Sequence, residues 1–326
     1  MVYNKYIGII GGTGTIGSII VKYLLQLQTH FHVLIGGRRS IKEISMSTFY
    51  NSERLKYNQM NYNNDVELDN FCSQCLLVIN AVGPSFKIND KIALHALRNN
   101  CHYIDIGGYG ILRDLLKPYE KSIEAQKLCF IIGVGWMPGI SGVFSKTIIE
   151  THLNSPENTN FNIYYGAVDN WSYSSTYDLA ASSMGKTRSY VYSHGKEIQV
   201  SPFRYTHHKF FPFIGHKKIC MPSFDEQLTQ LATSLKQIRK ISTFIMLNDY
   251  ISMGKFMFIK IFYKHNLNKA TLMLQDDYQR LVKKENKWGS VICQVSKIEP
   301  ERKIDTFYYL YTKNNLLYTA LPAVIT

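Results

Sequence analysis

Three glycines near the N-terminus have a spacing that suits phosphate binding. Gly12, Gly14 and Gly17 form G-x-G-x-x-G after an apolar run and before apolar residues at helical spacing. Between a strand and a helix, the first glycine makes the turn, the second lets backbone approach a pyrophosphate and the third lets the helix pack closely. The first amides of the helix point at phosphate oxygens. We therefore predict a dinucleotide site, the alternative being a structural turn. The predicted contacts are Gly12, Thr13, Gly14, Thr15, Ile16 and Gly17.

The end of the second predicted strand, residues 31–37, indicates which dinucleotide is bound. Folds selective for NAD place an Asp or Glu near this point, where it binds the ribose hydroxyls and repels a 2′-phosphate. This chain has Arg38, Arg39 and Ser40 there instead. Two guanidinium groups and a hydroxyl suit a phosphate and stacking on adenine. We predict NADPH in preference to NADH, the alternative being a solvated arginine pair on a loop.

Another strand end offers room for the rest of a dinucleotide. The predicted strand at residues 76–82 closes on small residues followed by Gly-Pro, which leave space for a flat ring and a ribose. A doubly wound sheet binds its ligand at this edge. The predicted contacts are Ala81, Val82, Gly83 and Pro84.

Candidates for proton transfer are more numerous than the sequence can choose between. Asp105 ends a predicted strand at residues 102–106, and either acts in the site or caps the next turn. A general acid must lie within about 3 Å of the atom it protonates. The other candidates are Tyr109, Asp169 and Tyr177, with the histidines at 194, 207, 208 and 216.

Two segments have the composition of a substrate pocket. The loop at residues 133–142 contains four glycines, and its Trp136 and Met137 either shape a pocket or, for the tryptophan, fill the core. Residues 166–176 are rich in hydroxyl and aromatic groups, which suits an amino acid or carboxylate ligand, although an ordinary polar loop has this composition too. The predicted contacts there are Trp171 and Tyr173, with Arg188 as a carboxylate partner, the alternative for the arginine being a solvated strand end.

The elements that position these residues fall into two patterns. Strands and helices alternate with short connections up to about residue 152, which predicts a doubly wound parallel sheet, with Asn89 capping one helix and another helix at residues 115–127. The second half predicts strands at 161–168, 187–192, 256–263, 290–297 and 303–311, with helices at 224–238 and 241–250. The fold class is therefore α/β: a Rossmann sheet with a second α+β domain that carries a mixed, antiparallel-rich sheet and serves dimerisation.

Composition narrows the class of protein. The 326 residues are 45% hydrophobic, which is typical of a globular chain with two cores. No signal peptide is recognised, and the longest apolar run, at residues 128–144, contains four glycines and Pro138, so no membrane helix is predicted. We expect a cytoplasmic protein. The net charge of +13 is dispersed, which favours an anionic cofactor over nucleic acid.

The six cysteines are scattered and predict reduced thiols. Cys72 and Cys75 form one C-x-x-C without a second pair or a nearby histidine pair, so we predict no metal site.

Taken together, these motifs make the chain similar to the saccharopine dehydrogenase-like NAD(P)-binding oxidoreductases. The resemblance covers the first 150 residues and resumes weakly at residues 318–323. Its pieces, in order, are residues 11–17, Gly37-Arg38, residues 80–84, residues 102–105 and residues 135–142. Each piece is common alone, and the ordered set is fairly specific.

The resemblance implies a Rossmann domain at residues 1–140, an inserted substrate and dimerisation domain at 141–312, and a segment at 313–326 that returns to the first domain. It also implies NADPH-dependent hydride transfer to an imine carbon of a small amino-acid-derived molecule, in a homodimer. The chain departs from the family at Tyr109, where a glutamate is common, and stops at Thr326, where members usually continue. The alternatives are a non-catalytic NADP-binding sensor and a reductase of C=C or ketone groups.

Overall fold

The computed structural model describes residues 5–27, 30–40, 52–152, 156–184, 189–223, 226–263 and 265–326. The chain divides into two compact units. The first comprises Met1–Ile140 with Leu316–Thr326, and the second comprises Ser141–Asn315.

The first unit is built on a parallel sheet. Its strands follow the order β3-β2-β1-β4-β5-β6, and every pairing is parallel. This is the order of a doubly wound dinucleotide-binding fold, in which strand order reverses beside β1. The elements are β1 (Tyr6–Ile10), α1 (Thr15–Gln26), β2 (Val33–Gly37), β3 (Leu55–Gln59), α2 (Asp65–Cys72), β4 (Cys75–Asn80), α3 (Ser85–Ile88), α4 (Lys91–Arg98), β5 (His102–Asp105), α5 (Tyr109–Leu116), α6 (Glu120–Ala125) and β6 (Phe130–Ile132).

Both faces of this sheet are covered because successive residues of each strand enter different cores. Ile9 packs in a cluster with Val21 of α1, whereas Ile10 packs in a second cluster with Phe71 of α2. A strand buried on both sides has no polar alternation, so these strands appear in the sequence as continuous apolar runs. The predicted parallel sheet is confirmed.

Two local predictions in the first unit are wrong. The helix expected at residues 115–127 begins earlier, as α5, and a 3-10 turn at Lys117–Tyr119 separates it from α6, because Pro118 lies within that turn. Asn89 does not cap α4. Its φ of 53° ends α3, and Asp90 stands at the N-cap of α4.

The second unit contains a mixed sheet. The main path of the sheet is β10-β11-β12-β7-β13-β14, with β8 joined to β12 and β9 joined to β8. Only β12 and β7 pair in parallel among these strands. Its elements are α7 (Ile140–His152), β7 (Thr159–Val168), α8 (Tyr173–Met184), β8 (Ser189–Ser193), β9 (Lys196–Val200), α9 (Pro202–Tyr205), β10 (His207–Phe211), β11 (His216–Pro222), α10 (Glu226–Ser234), β12 (Lys240–Leu247), α11 (Tyr250–Phe262), α12 (Leu267–Lys284), β13 (Trp288–Ile298) and β14 (Lys303–Thr312).

Two segments of the second unit have the opposite secondary structure from that predicted. Residues 241–250 were expected to form a helix, but residues 241–247 lie in the central strand β12, which is buried on both faces and so lacks alternation. Residues 256–263 were expected to form a strand, but all except the last lie in α11. The side chain of Asp249 accepts a hydrogen bond from the amide of Ser252 and caps this helix.

The sheet of the second unit is strongly curled. In a flat sheet β10 and β14 would lie five strand spacings apart, or about 24 Å. Instead, the ring of Phe213, just after β10, stacks on Tyr309 of β14 with centroids 3.9 Å apart. Curling encloses an aromatic core that includes Tyr164, Phe211 and Phe244. The predicted α/β class with a second mixed-sheet domain is confirmed.

After β14 the chain returns to the first unit as α13 (Asn315–Ala320) and α14 (Pro322–Ile325). Ala320 and Ala323 are buried in the same core cluster as Ile20 and Val21 of α1. The closing helices therefore pack on the helix that follows the glycine turn.

Candidate functional site

The glycine turn between β1 and α1 is tightly packed against its own backbone. A Cβ on Gly17 would lie 2.2 Å from the carbonyl oxygen of Gly11, and one on Gly12 would lie 2.7 Å from Ile35. The turn itself is made at Gly11, whose φ is 83°, and not at Gly12 as the motif had suggested. Gly14 has only one neighbour near its missing Cβ, the Gly11 oxygen at 3.1 Å. The glycines at 11, 12 and 17 thus shape the turn, and Gly14 leaves an open side.

The N-terminus of α1 offers backbone donors to an anion. Gly14 is its N-cap residue, with no side-chain cap and no acid in the first turn. Helix N-termini carry a partial positive charge and amides without intrahelical partners, which bind phosphate groups. Thr15, Ile16 and Gly17 form the first turn. The described residues therefore leave this end of α1 suited to a pyrophosphate.

The end of β2 approaches the same turn. A Cβ on Gly37 would lie 3.3 Å from Oγ1 of Thr13. The hydroxyl of Tyr57 donates to the carbonyl of Gly37 at 2.9 Å, and it also contacts the carbonyl of Arg39. Sequence reasoning missed Tyr57, although its place on the neighbouring strand β3 was a usable signal.

The backbone of the two arginines after β2 is fixed by hydrogen bonds from β3. Gln59 of β3 donates from Nε2 to the carbonyl of Arg38 at 3.3 Å. The side chains of Arg38 and Arg39 are exposed, and Ser40 is half-buried. A fixed backbone that carries two exposed guanidinium groups suits recognition of a phosphate that arrives from solvent.

The end of β4 forms the other side of the turn. A Cβ on Gly11 would lie 2.9 Å from the side chain of Val82 and 3.0 Å from the carbonyl oxygen of Ala81. Gly83 and Pro84 follow through a cis peptide and are half-buried. The structure thus brings together the predicted cofactor residues from the ends of β1, β2 and β4.

Asp105, at the end of β5, is almost fully occupied by neighbouring donors. One carboxylate oxygen accepts from Nδ2 of Asn80 and from the hydroxyl of Tyr103, both at 2.7 Å. The other accepts from the amides of Gly107 and Gly108 at 2.9 and 2.6 Å. The carboxyl group is 2% exposed. Of the two interpretations open in the sequence, this geometry favours a residue that holds the turn.

Tyr103, one of the donors to Asp105, is also buried. Burial, helped by the neighbouring carboxylate, raises the pKa of Tyr103 well above its usual range, so this hydroxyl stays protonated and keeps donating. The side chain of the other candidate here, Tyr109, lies outside the described residues. Its backbone begins α5.

The glycine-rich loop after β6 folds into a compact turn. Gly139 has a φ of 126°, and a Cβ there would lie 2.2 Å from the carbonyl oxygen of Gly135. Trp136 is 9% exposed and meets Tyr318 of α13 edge-on, with centroids 5.8 Å apart. Met137 is half-buried. The tryptophan therefore joins the loop to the returning helix, which was the core-filling interpretation, while Met137 is the more accessible of the two.

In the second unit, Asp169 follows β7 and is held by other residues. Its carboxylate lies 2.9 Å from Nζ of Lys287 and accepts from Nδ2 of Asn315 at 3.2 Å and from the amide of Asn170 at 2.7 Å. It is 4% exposed. As with Asp105, structural contacts surround this carboxylate.

The aromatic residues after Asp169 pack on α12 or near its N-terminus. Trp171 stacks on Tyr278 with centroids 4.7 Å apart, and the hydroxyl of Tyr173 donates to Asn268 at 2.8 Å. Tyr177 is 8% exposed, with its ring 6.0 Å from that of Tyr173. The remaining predicted contact, Arg188, lies outside the described residues.

The C-x-x-C pair lies in the core. Burial raises the pKa of the Cys72 and Cys75 thiols well above the ordinary value, which makes them poor nucleophiles. No group of three metal-binding side chains occurs within the described ranges. None of the helices in the part of the chain that the structure describes is long and apolar enough to cross a membrane.

Comparison with known proteins gives a family match within the first unit. The family model for the saccharopine dehydrogenase NADP binding domain matches residues 7–129. A search of curated proteins finds no significant match. Among solved structures, the chain is similar to apo saccharopine dehydrogenase (L-Glu forming) from Saccharomyces cerevisiae, with 14% identity, a TM-score of 0.63 and coverage of 98% of this chain and 88% of that one. It also aligns with C. glutamicum DAP dehydrogenase in complex with DAP, at 10% identity and a TM-score of 0.47, covering 98% and 86%.

Proposed function

We propose that this protein is an NADPH-dependent oxidoreductase, because residues 7–129 match the family model for the saccharopine dehydrogenase NADP binding domain and the chain shares the fold of the yeast enzyme. The observation that carries the proposal is the turn before α1. There, Gly11, Gly12 and Gly17 permit a close backbone, and Gly14 leaves the first amides of the helix open to a pyrophosphate. NADPH, when bound, supplies the hydride, and the chain positions it.

The preference for NADPH over NADH rests on Arg38 and Arg39, with Ser40 beside them. We expect Arg38→Ala to weaken NADPH binding by about 10- to 100-fold, because a charge-assisted hydrogen bond contributes about 1.5–3 kcal/mol. NADH, which lacks the 2′-phosphate, should bind the variant as it binds the wild type. Titration calorimetry with both nucleotides measures this difference. The exposed Arg98 supplies a control, and Arg98→Ala should change neither affinity. Equal losses for NADPH and NADH in Arg38→Ala would contradict the assignment.

We further propose that the hydride goes to the carbon of an imine in a small amino-acid-derived molecule. Support comes from the family match and from the name of the yeast protein, a saccharopine dehydrogenase that forms L-Glu. The proposed substrate contacts are Trp136, Met137, Trp171, Tyr173 and Arg188. The proposed candidates for the general acid are Asp105, Tyr109, Asp169 and Tyr177, of which the two carboxylates already accept the hydrogen bonds and the ion pair described above.

A specific observation favours a second candidate, an NADP-binding protein without turnover. Both predicted carboxylic acids, Asp105 and Asp169, are buried and held by structural partners. A chain that keeps the nucleotide site and uses these two carboxylates for structure would bind NADPH and sense its level. Hydride transfer itself does not require a carboxylate, so the enzyme remains the first proposal.

One experiment separates these two functions. NADPH oxidation is followed at its nicotinamide absorbance while a panel of 2-oxo acids is combined with a panel of amino acids, and binding is measured in parallel. Turnover with at least one pair supports the oxidoreductase. Tight binding with no turnover across the panel supports the sensor, and absence of NADPH binding contradicts both. Gly14→Ala serves as the control in which NADPH binding should weaken and turnover at a limiting NADPH concentration should fall with it.

The roles of the second unit and the location of the protein remain proposals. We propose that residues 141–312 bind substrate and form a cytoplasmic homodimer, with residues 313–326 belonging to the nucleotide domain. Light scattering during size-exclusion chromatography tests the dimer, since a mass near 37.6 kDa would indicate a monomer.

A further inference from the structure

Two side chains of β3 hold the backbone of the segment that follows β2. The paired register of these two strands ends at Gly37 and Gln59. Beyond that point, side chains supply the hydrogen bonds. The hydroxyl of Tyr57 donates to the carbonyl of Gly37 at 2.9 Å and also contacts that of Arg39, and Nε2 of Gln59 donates to the carbonyl of Arg38 at 3.3 Å. Three successive carbonyl groups, at residues 37, 38 and 39, are therefore tied to β3.

The two donors are anchored differently. The ring of Tyr57 is half-buried and packs against the core cluster that contains Ile35, its register partner on β2. Gln59 lies two residues later on the same face of the strand, and its side chain is exposed. Tyr57 thus gives the segment a point fixed to the core, and Gln59 adds a second contact from the surface.

The held segment lies beside the glycine turn. A Cβ on Gly37 would lie 3.2 Å from the hydroxyl of Tyr57 and 3.3 Å from Oγ1 of Thr13, which belongs to that turn. In a doubly wound fold the adenosine ribose of a dinucleotide reaches the end of the second strand, where an arginine accommodates a 2′-phosphate. The guanidinium groups of the two arginines therefore extend from a backbone whose place beside the turn is set by β3.

We propose that Tyr57 and Gln59 are positioning residues that set the preference for NADPH over NADH. These roles rest on the proposed function, in which Arg38 and Arg39 bind the 2′-phosphate. A backbone that is already fixed loses less conformational entropy when its side chains bind a ligand, so affinity is gained without a new contact to that ligand. NADH lacks the 2′-phosphate, so the effect falls mainly on NADPH.

The test measures both nucleotides by titration calorimetry on the full-length wild type, Tyr57→Phe and Gln59→Met. Phenylalanine keeps the ring and removes the hydroxyl, and methionine keeps a side chain of similar length and removes the donor. We expect Tyr57→Phe to weaken NADPH binding about 2- to 10-fold, the range of one neutral hydrogen bond, and NADH binding by less than about twofold. Gln59→Met should act in the same direction and more weakly, because its bond is exposed. Adenosine 2′,5′-bisphosphate and 5′-AMP, which differ only in the 2′-phosphate, should show the same difference.

Tyr165→Phe is the matched control. The hydroxyl of Tyr165, on β7 of the second unit, donates to the backbone carbonyl of Ser223 at 3.1 Å, so this variant also loses a hydrogen bond from a tyrosine to a carbonyl. Its melting temperature should fall to a similar extent as that of Tyr57→Phe. Its ratio of NADPH to NADH affinity should stay that of the wild type.

Adding Tyr57→Phe to Arg38→Ala/Arg39→Ala shows whether Tyr57 acts through the arginines. If it does, the triple variant should bind NADPH as weakly as the double variant, because no guanidinium group remains to be positioned. A full additional loss in the triple variant overturns the proposal, and so does a wild-type ratio of NADPH to NADH affinity in Tyr57→Phe. A wild-type protein that binds NADPH no better than NADH overturns the nucleotide assignment itself, and the roles of Tyr57 and Gln59 with it.

Discussion

Alanine at two positions of the glycine turn should separate packing of the first unit from nucleotide binding. A Cβ on Gly17 would meet the Gly11 oxygen at 2.2 Å and the Gly12 Cα at 2.7 Å, and these are backbone atoms that cannot rotate away. Overpacking costs about 1–3 kcal/mol, and we expect Gly17→Ala to lie near 3 kcal/mol. At about 2–4 °C per kcal/mol, its melting temperature should fall by roughly 6–12 °C.

Alanine at position 14 should act differently. Gly14 has a φ of −81°, which any residue adopts, and the only atom near its missing Cβ is the Gly11 oxygen at 3.1 Å. Because alanine is a poorer N-cap than glycine, Gly14→Ala should lose about 1 kcal/mol of stability. Its methyl group would, however, stand on the open side where a pyrophosphate approaches. We expect NADPH affinity to fall at least tenfold, or about 1.4 kcal/mol.

The assay pairs thermal unfolding with titration calorimetry for each variant. Gly254→Ala supplies the control, because a Cβ at Gly254, inside α11, meets nothing within 4 Å. Alanine in a helix interior should stabilise by about 0.5–1 kcal/mol. A melting temperature of Gly17→Ala equal to that of the wild type would refute the packing argument. Wild-type NADPH affinity of Gly14→Ala would refute the placement of the pyrophosphate at α1.

Three further predictions concern buried polar groups. In Asp105→Asn, an NH₂ group that donates replaces one of the carboxylate oxygens that accept from four donors. We expect the free energy of unfolding, measured in urea, to fall by about 1–3 kcal/mol. The control Asp114→Asn changes an exposed carboxylate and should leave this free energy almost unchanged. Glu285→Gln leaves the buried Lys218 without its charge partner and should cost about 3 kcal/mol by the same measurement. Burial lowers the pKa of Lys209, so as the pH approaches the ordinary value of 10.5 from below the unfolded chain binds more protons than the folded chain, and the stability of wild type relative to Lys209→Met should rise with pH over that range.

Each of these outcomes has a clear opposite. An unchanged urea midpoint for Asp105→Asn would mean that the turn after β5 does not depend on the carboxylate. A loss below about 1 kcal/mol in Glu285→Gln would mean that the stability of the fold does not depend on Glu285 as the charge partner of Lys218. Parallel pH profiles for wild type and Lys209→Met would mean that Lys209 keeps its ordinary pKa when folded.

The sequence predicted the first unit well because its strand ends carry glycine and proline. Gly11, Gly37, Gly83 and Gly107 lie at or just after the ends of β1, β2, β4 and β5, and the apolar runs of these strands are too short for buried helices. The motif assigned the turn to Gly12, however, while the positive φ is at Gly11. Spacing alone does not tell which glycine of an adjacent pair adopts the left-handed conformation.

In the second unit the same reasoning failed where the burial of a segment does not follow the apolar–polar periodicity that distinguishes a strand from a helix. Strand β12 is buried on both faces, so Ile241 to Leu247 shows no alternation, and α11 carries apolar residues on its exposed side, including Ile261 and Phe262. The Asp249 cap of α11 was a usable signal that went unrecognised. For the site, the residue types in the sequence were enough to propose candidates. Only the structure showed that the carboxylate of Asp105 already accepts hydrogen bonds from four neighbouring donors.

The curl of the second sheet has a consequence for how the protein behaves at high concentration. A long, flat edge strand is a template on which another chain can add a strand, and this is a common route to aggregation. Here the Phe213 ring lies on Tyr309, and Lys209 reaches Phe307, so side chains from each end of the sheet cover the other. A substitution that opens this contact, such as Phe213→Ser, should therefore promote self-association before it causes unfolding.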